Sequence, residues 1–130
     1  MLIRGTTELI AHIGFPTRGF KSPLIYNPYF EQAGIDAVVV PMGCRAEDYP
    51  GFLRAVFTLT NMRGALITMP HKVTTAALVD DASPAVRLAG SCNAVRRAPH
   101  GSSPMRGGRL WHLHDPKHRY RDQTHAATFG

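Results

Sequence analysis

The stretch Gly64-Ala-Leu-Ile-Thr-Met-Pro-His-Lys72 carries a short apolar run into a proline and, two residues later, a lysine. Ala65, Leu66 and Ile67 suit a strand buried on both faces, as in a parallel sheet. Pro70 suits the first position of a helix, and Lys72 falls in that helix's first turn. The same alternation recurs along the chain. Leu9 to Gly14 reads as a strand, and Ser22-Pro23 as the capped start of a helix that carries Leu24, Ile25, Tyr29 and Phe30, is kinked or interrupted by Pro28 and ends at Gly34. Ala37 to Met42 is a β-branched run, and Tyr49 to Leu59 places Phe52, Leu53, Val56, Phe57 and Leu59 at helical spacing. Val73 to Val79 continues the helix begun near Lys72, Ser83 to Leu88 forms another, and Cys92 to Val95 returns as a strand. The pattern predicts an α/β fold, a three-layer αβα sandwich around a mostly parallel sheet.

With 130 residues the chain makes one domain and has no room for a complete dinucleotide-binding domain beside it. Hydrophobic residues make up 44% and charged residues 18%, which is the composition of a soluble globular protein. No apolar stretch is long enough to span a bilayer. Met1-Leu2-Ile3-Arg4-Gly5 lacks the apolar core of a signal peptide, and two cysteines, Cys44 and Cys92, are too few for a disulfide framework. The expected compartment is a reducing cytoplasm, with no membrane partner.

The net charge of +6 is unevenly spread: residues 1–95 hold eight basic and seven acidic side chains (8 − 7 = +1), and the last 35 hold seven and two (7 − 2 = +5). The composition changes with the charge. His100 to Gly130 contains no Ile or Val, and carries His100, His112, His114, His118 and His125 among glycines and serines. This divides the chain into a domain over 1–98 and a divergent basic, His-rich tail over 99–130, disordered by composition and abrupt enough to suggest a shifted reading frame or truncated gene. His112, His114, Asp115 and His118 could ligate zinc or nickel, but with no stable frame around them no metal site is expected. The tail has too few stacking aromatics, Trp111 and Tyr120, for a nucleic-acid arm, so no nucleic-acid partner is expected.

A lysine delivered to the carboxyl end of a strand stands where open α/β sheets bind ligands. A cation near a helix N-terminus is opposed by the dipole by about 0.3–1 kcal/mol, so Lys72 calls for a reason beyond surface solvation. Proton transfer is one that lysines supply. The other polar residues nearby have plainer roles open to them: Thr68 could cap the helix after it, Ser22 could cap the helix before Pro23, and Asn93 could simply form a turn.

These segments together resemble the shikimate dehydrogenase family. Its substrate domain carries Gly-x-Asn-x-Thr-x-Pro-x-Lys, similar to Gly64–Lys72. Gly14-Phe15-Pro16 followed by Ser22-Pro23 resembles its opening substrate loop, and Asn93 after Ala89-Gly90-Ser91-Cys92 resembles its second substrate-binding asparagine. The resemblance runs from about the tenth residue to about Ala98. It implies the N-terminal substrate-binding domain of a two-domain enzyme whose C-terminal Rossmann domain is absent here. Lys72 is then the catalytic group, and Ser22, Thr68 and Asn93 bind a cyclic hydroxy acid. The full-length family uses NADP or NAD, and no cofactor is expected to bind this chain alone, which has no Gly-x-Gly-x-x-Gly loop and no visible partner aspartate for the lysine.

The departures from the family pattern are specific. Phe20 stands where a first substrate serine is usual, Gly19 where a histidine precedes it, and Leu66 where an asparagine precedes Thr68. Apolar residues at hydrogen-bonding positions imply a less polar ring acid than shikimate, with Arg18 or Lys21 as its carboxylate partner. Two classes of function follow: the substrate half of an oxidoreductase interconverting a ring hydroxyl and a ketone, inactive alone, or a non-catalytic small-molecule-binding domain or fragment. Surface that a second domain would cover is expected to drive homo-oligomerisation.

Overall fold

The computed structural model describes residues 1–80, 82–97 and 110–112. Strand β1 (Glu8–Gly14) is apolar on both sides, and this decides the layering. Leu9, Ala11 and Ile13 belong to one core, and Ile10 to another on the opposite face. The larger core receives α2 (Tyr49–Val56), α3 (Lys72–Leu78) and α4 (Pro84–Ala89) through Tyr49, Leu53, Val56, Ala76 and Val86. The smaller receives α1 (Ser22–Ala33) through Phe30 and Tyr26. Helices thus cover both faces, and the chain is the αβα sandwich that the alternation predicts.

The sheet order is β2-β1-β3-β4-β5, with β2 (Ala37–Gly43), β3 (Met62–Ile67), β4 (Ala94–Arg97) and β5 (Leu110–His112). β2 and β3 flank β1 in parallel, while β4 runs antiparallel to β3 and β5 antiparallel to β4. His12 of β1 therefore lies between Pro41 and Leu66 in register. β5 falls within the stretch whose composition sets it apart as a tail. The rest of that stretch, including His114, Asp115 and His118, lies outside the described residues.

Four local expectations are corrected. Ser22 is the first helical residue of α1, not its cap; Lys21 holds the cap position, and no side chain caps the helix. α1 also runs unbroken through Pro28 and ends at Gly34 in the left-handed conformation, because the bond that Pro28 cannot make belongs to the carbonyl of Leu24, an exposed residue. Pro70 is not the first helical residue either. Thr68 to His71 form a turn closed by His71 N–H donating to Thr68 O (3.0 Å), with a cis bond between Met69 and Pro70, and α3 starts at Lys72. Thr68 does not cap it.

β2 is an edge strand, and its outer side is occupied. Asn27 of α1 donates to Val39 O (3.1 Å) and accepts from Val39 N–H (2.8 Å). Two residues on, Pro41 has no N–H to offer.

Candidate functional site

The carboxyl ends of β1 and β3 and the turn before β4 are tied together by backbone hydrogen bonds. Thr68 N–H donates to Ile13 O (2.9 Å) and Phe15 N–H to Met69 O (3.0 Å), joining the first loop to the third. Ile67 N–H donates to Asn93 O (2.8 Å) and Cys92 N–H to Lys72 O (2.9 Å), joining the end of β3 and the start of α3 to the segment before β4. Thr68, Lys72 and Asn93, separated by up to 25 residues in sequence (93 − 68), are thereby held at one end of the sheet.

Lys72 is half-buried as the first residue of α3. Its place is set from beneath by a polar chain in the larger core. Tyr49 OH lies 2.5 Å from Thr75 Oγ1, and Thr75 Oγ1 donates to His71 O (2.6 Å), so the tyrosine is the donor of that pair. The His71 ring is only 1% exposed. It stacks on Tyr49 with centroids 3.9 Å apart and planes 8° apart, and donates from Nε2 to Cys44 O (2.7 Å). Every polar group named in this chain has a partner, which is the condition for burying it without a desolvation penalty. Burial pushes the Tyr49 hydroxyl well above its ordinary value and the Cys92 thiol up to about 12.

On the α1 face, His12 Nδ1 and Ser22 Oγ form a short hydrogen bond. The Phe20 ring stacks on the imidazole with centroids 4.2 Å apart and planes 18° apart. Burial, and then the positive charge of Lys72, lowers the His12 pKa, so the ring is neutral at neutral pH. Gly14 makes the crowding feasible, because a Cβ there would collide with the Thr68 methyl and stand 2.9 Å from both Met69 O and the Phe20 ring. Leu66 packs with the α1-face core beside this group.

Of the residues singled out from the sequence, Ser22 and Lys72 reach this end of the sheet by way of His12, which touches the first and feels the charge of the second. Thr68 and Asn93 reach it through their backbones. Asn93 Oδ1 is buried with no hydrogen-bond partner among the described residues, an acceptor held ready for a donor. Arg18 and Lys21 lie exposed on the loop before α1. Sequence reasoning missed His12 and His71. His12 carries a legible signal, a polar ring interrupting Leu-Ile-Ala-His-Ile-Gly in a two-sided apolar strand; the stacking partner of His71, 22 residues away (71 − 49), carries none.

The turns entering α1, α2 and α3 span 15–21, 44–48 and 68–71, and none is the glycine-rich turn that lets a backbone approach a pyrophosphate. Among the described residues no His, Cys, Asp and Glu cluster could hold a metal, and no helix is long and apolar enough to cross a membrane. A concavity of about 270 Å³ lined by Arg4, Glu31 and Asp36 lies at the amino ends of the strands. It is at the opposite end from Lys72, and strand-end chemistry makes the Lys72 end the candidate site.

The sequence pattern of the shikimate dehydrogenase substrate binding domain matches residues 13–95, from the end of β1 into β4, with α1, β2, α2, β3, α3 and α4 whole between them. The chain belongs to the shikimate dehydrogenase substrate-binding domain family. It is 36% identical to the shikimate dehydrogenase (NADP(+)) of Pelobacter propionicus over 90 residues, 69% of this chain and 32% of that one. With the enzyme of the same name from Geobacter metallireducens it is 36% identical over 97 residues, 75% and 34%. The chain thus spans about a third of the length of the curated relatives it matches. Among solved structures, the shikimate 5-dehydrogenase of Listeria monocytogenes in complex with shikimate and NAD superimposes with a TM-score of 0.76 at 28% identity, covering 96% of this chain and 40% of that one. The shikimate 5-dehydrogenase of Thermus thermophilus in complex with NADP(H) and shikimate gives 0.69 at 25%, covering 82% and 37%.

Proposed function

We propose that the chain is the substrate-binding half of a shikimate dehydrogenase-like oxidoreductase, acting on a ring hydroxyl or ketone of a cyclic hydroxy acid, with Lys72 as the catalytic group. Ser22, Thr68 and Asn93 bind the ring acid. The observation that carries this reading is the convergence of Lys72, Thr68 and the unpaired Asn93 Oδ1 at the carboxyl end of β3. A lysine there exchanges the proton of the reacting oxygen, and Asn93 accepts from a ring hydroxyl that would otherwise be lost to water. NADP or NAD belongs to the full-length family; the turns entering α1, α2 and α3 are not glycine-rich, and the chain by itself is proposed to bind the acid and not to turn it over. Two buried free thiols accord with a reducing cytoplasm.

Amide chemical shifts of the labelled chain, titrated with shikimate and with quinate, test this. The expected perturbations fall on 14–22, 68–72 and 91–94, and weaken when Lys72→Ala removes the ammonium. Perturbations confined to the cavity by Arg4 and Asp36, or none with either acid, would sink the reading in favour of a fragment without a ligand.

A further inference from the structure

Along α1, Ser22, Tyr26 and Phe30 turn toward the sheet. Lys21, Leu24, Ile25, Pro28, Tyr29 and Gln32 recur at helical spacing on the other side, and all six are exposed. Leu24 is 77% exposed, Ile25 63% and Tyr29 48%. The middle of this face is apolar, and one polar residue closes it at each end. The charges at the two ends of α1 stand against its own dipole. Its first turn holds no acidic side chain and its last turn no basic one. Instead Lys21 occupies the cap position at the positive end, and Glu31 lies in the last turn at the negative end. Glu31 is answered in part by the Met1 ammonium, 3.3 Å from its Oε1. Lys21 has no ion pair among the described residues.

The face is also its own complement. When two copies of α1 lie antiparallel about the midpoint between Tyr26 and Asn27, Leu24 meets Tyr29, Ile25 meets Pro28 and Lys21 meets Gln32, each contact made twice. Lys21 of each copy then stands at the carboxyl end of the other helix, beside its Glu31, so both misplaced charges are answered at once. The Leu24 carbonyl, which Pro28 leaves without its helical donor, lies opposite the Tyr29 phenol, which can supply one. We propose that the exposed face of α1 is a two-fold contact with a second copy of this chain, with Leu24, Ile25, Pro28 and Tyr29 packed at its centre and Lys21 paired with Glu31 of the other copy at both ends. Six positions a side fall short of the roughly 20–30 of a standard stable interface, so the contact is weak and fills at submillimolar concentration. It is separate from any association at α3, which lies on the opposite face of the sheet.

The full chain carrying Met69→Lys and Val73→Lys, both at exposed positions near Lys72, isolates this contact. Its amide shifts, followed from micromolar to millimolar concentration, are expected to move at 21–32 and to stay still at 72–78. A nitroxide on Gln32→Cys of an unlabelled copy, the two native thiols being buried, should broaden amides 21–25 of the isotope-labelled copy and spare 29–33. Ile25→Asp should abolish both effects. Lys21→Glu should weaken the self-affinity about tenfold, because the reversal counts twice in a symmetric pair. Glutamate suits the amino end of α1 itself, so that loss cannot come from a weakened helix. Adding Glu31→Lys to Lys21→Glu should restore the affinity. Shifts at 21–32 that do not move up to millimolar concentration would overturn the proposal, as would broadening at 29–33 in place of 21–25. Association of Lys21→Glu as tight as its parent's would overturn it too.

Discussion

At the scale of single residues, the site depends on two positions where little can change. Gly14 sits under Thr68, Met69 and Phe20 so closely that any Cβ must displace them. Gly14→Ala is expected to cost about 1–3 kcal/mol as an overpacking change, seen as an earlier urea midpoint together with displaced Thr68 and Phe20 resonances. An unchanged midpoint would mean the loop yields freely. Beneath Lys72, the order of two deletions is predictable. Thr75→Val leaves the fully buried Tyr49 hydroxyl without a partner and should cost about 1–3 kcal/mol, whereas Tyr49→Phe removes the donor itself and should cost about 0.5–1.5 kcal/mol. Equal losses in chemical denaturation would show that the hydroxyl finds another partner. Cys92 adds a pH term whose sign is fixed. Unfolded, the thiol loses its proton near the ordinary 9.0; folded, it keeps it up to about 12. Between these values the unfolded chain alone sheds a proton, so stability is full below pH 9 and falls above it by up to about 1.4 kcal/mol per pH unit. Tyr49 acts in the same direction. Thermal midpoints from pH 8 to pH 10.5 should therefore drop more steeply in the wild type than in Cys92→Ala.

At the scale of elements, the returning strand does more than complete the sheet. Arg97, at the end of β4, donates to Phe57 O (3.0 Å), Thr60 O (3.3 Å) and Leu59 O, carbonyls of the turn that follows α2. Arg97→Ala is expected to destabilise by about 1.5 kcal/mol, and hydrogen exchange should speed up at 56–60 first. Protection lost evenly across the sheet instead would show that the guanidinium anchors β4 and not the helix end. The β–α order and the two-sided apolar character of β1 and β3 were legible because burial on both faces leaves unbroken aliphatic runs, and Gly34 was legible as a helix end because only a left-handed residue suits it. The antiparallel sense of β4 was not, since four residues carry no directional signal. Ser22 misled for a related reason: Ser-Pro suits a cap and a first turn equally, and the choice was made by His12, ten residues away. Pro70 likewise suits a helix start, yet the turn closed between Thr68 and His71 takes it. Lys72, Thr68 and Asn93 could be picked out because spacing places them at strand ends. The contact between His12 and Ser22 needed the loop between them to be folded.

At the scale of the whole molecule, the described surface carries apolar side chains where they would be covered in a larger assembly. Phe15, Met69 and Val73 surround the approach to Lys72, and Leu24, Ile25 and Tyr29 share α1, all substantially exposed. We expect the chain to self-associate through the faces near Lys72. Sedimentation at micromolar concentration should find a dimer or higher form that Met69→Lys with Val73→Lys returns to monomer. A monodisperse wild-type monomer that binds no hydrophobic dye would reverse the expectation. One route to assembly is closed regardless. At the free edge of β2, Asn27 occupies both the donor and the acceptor of Val39, and Pro41 offers no donor two residues along. A foreign strand arriving there would meet a ladder whose rungs are already taken. The valine run of β2, Val38 to Val40, is thus kept from templating cross-β growth by one side-chain amide and one proline, and the domain can expose apolar faces to a partner without offering β2 to a fibril.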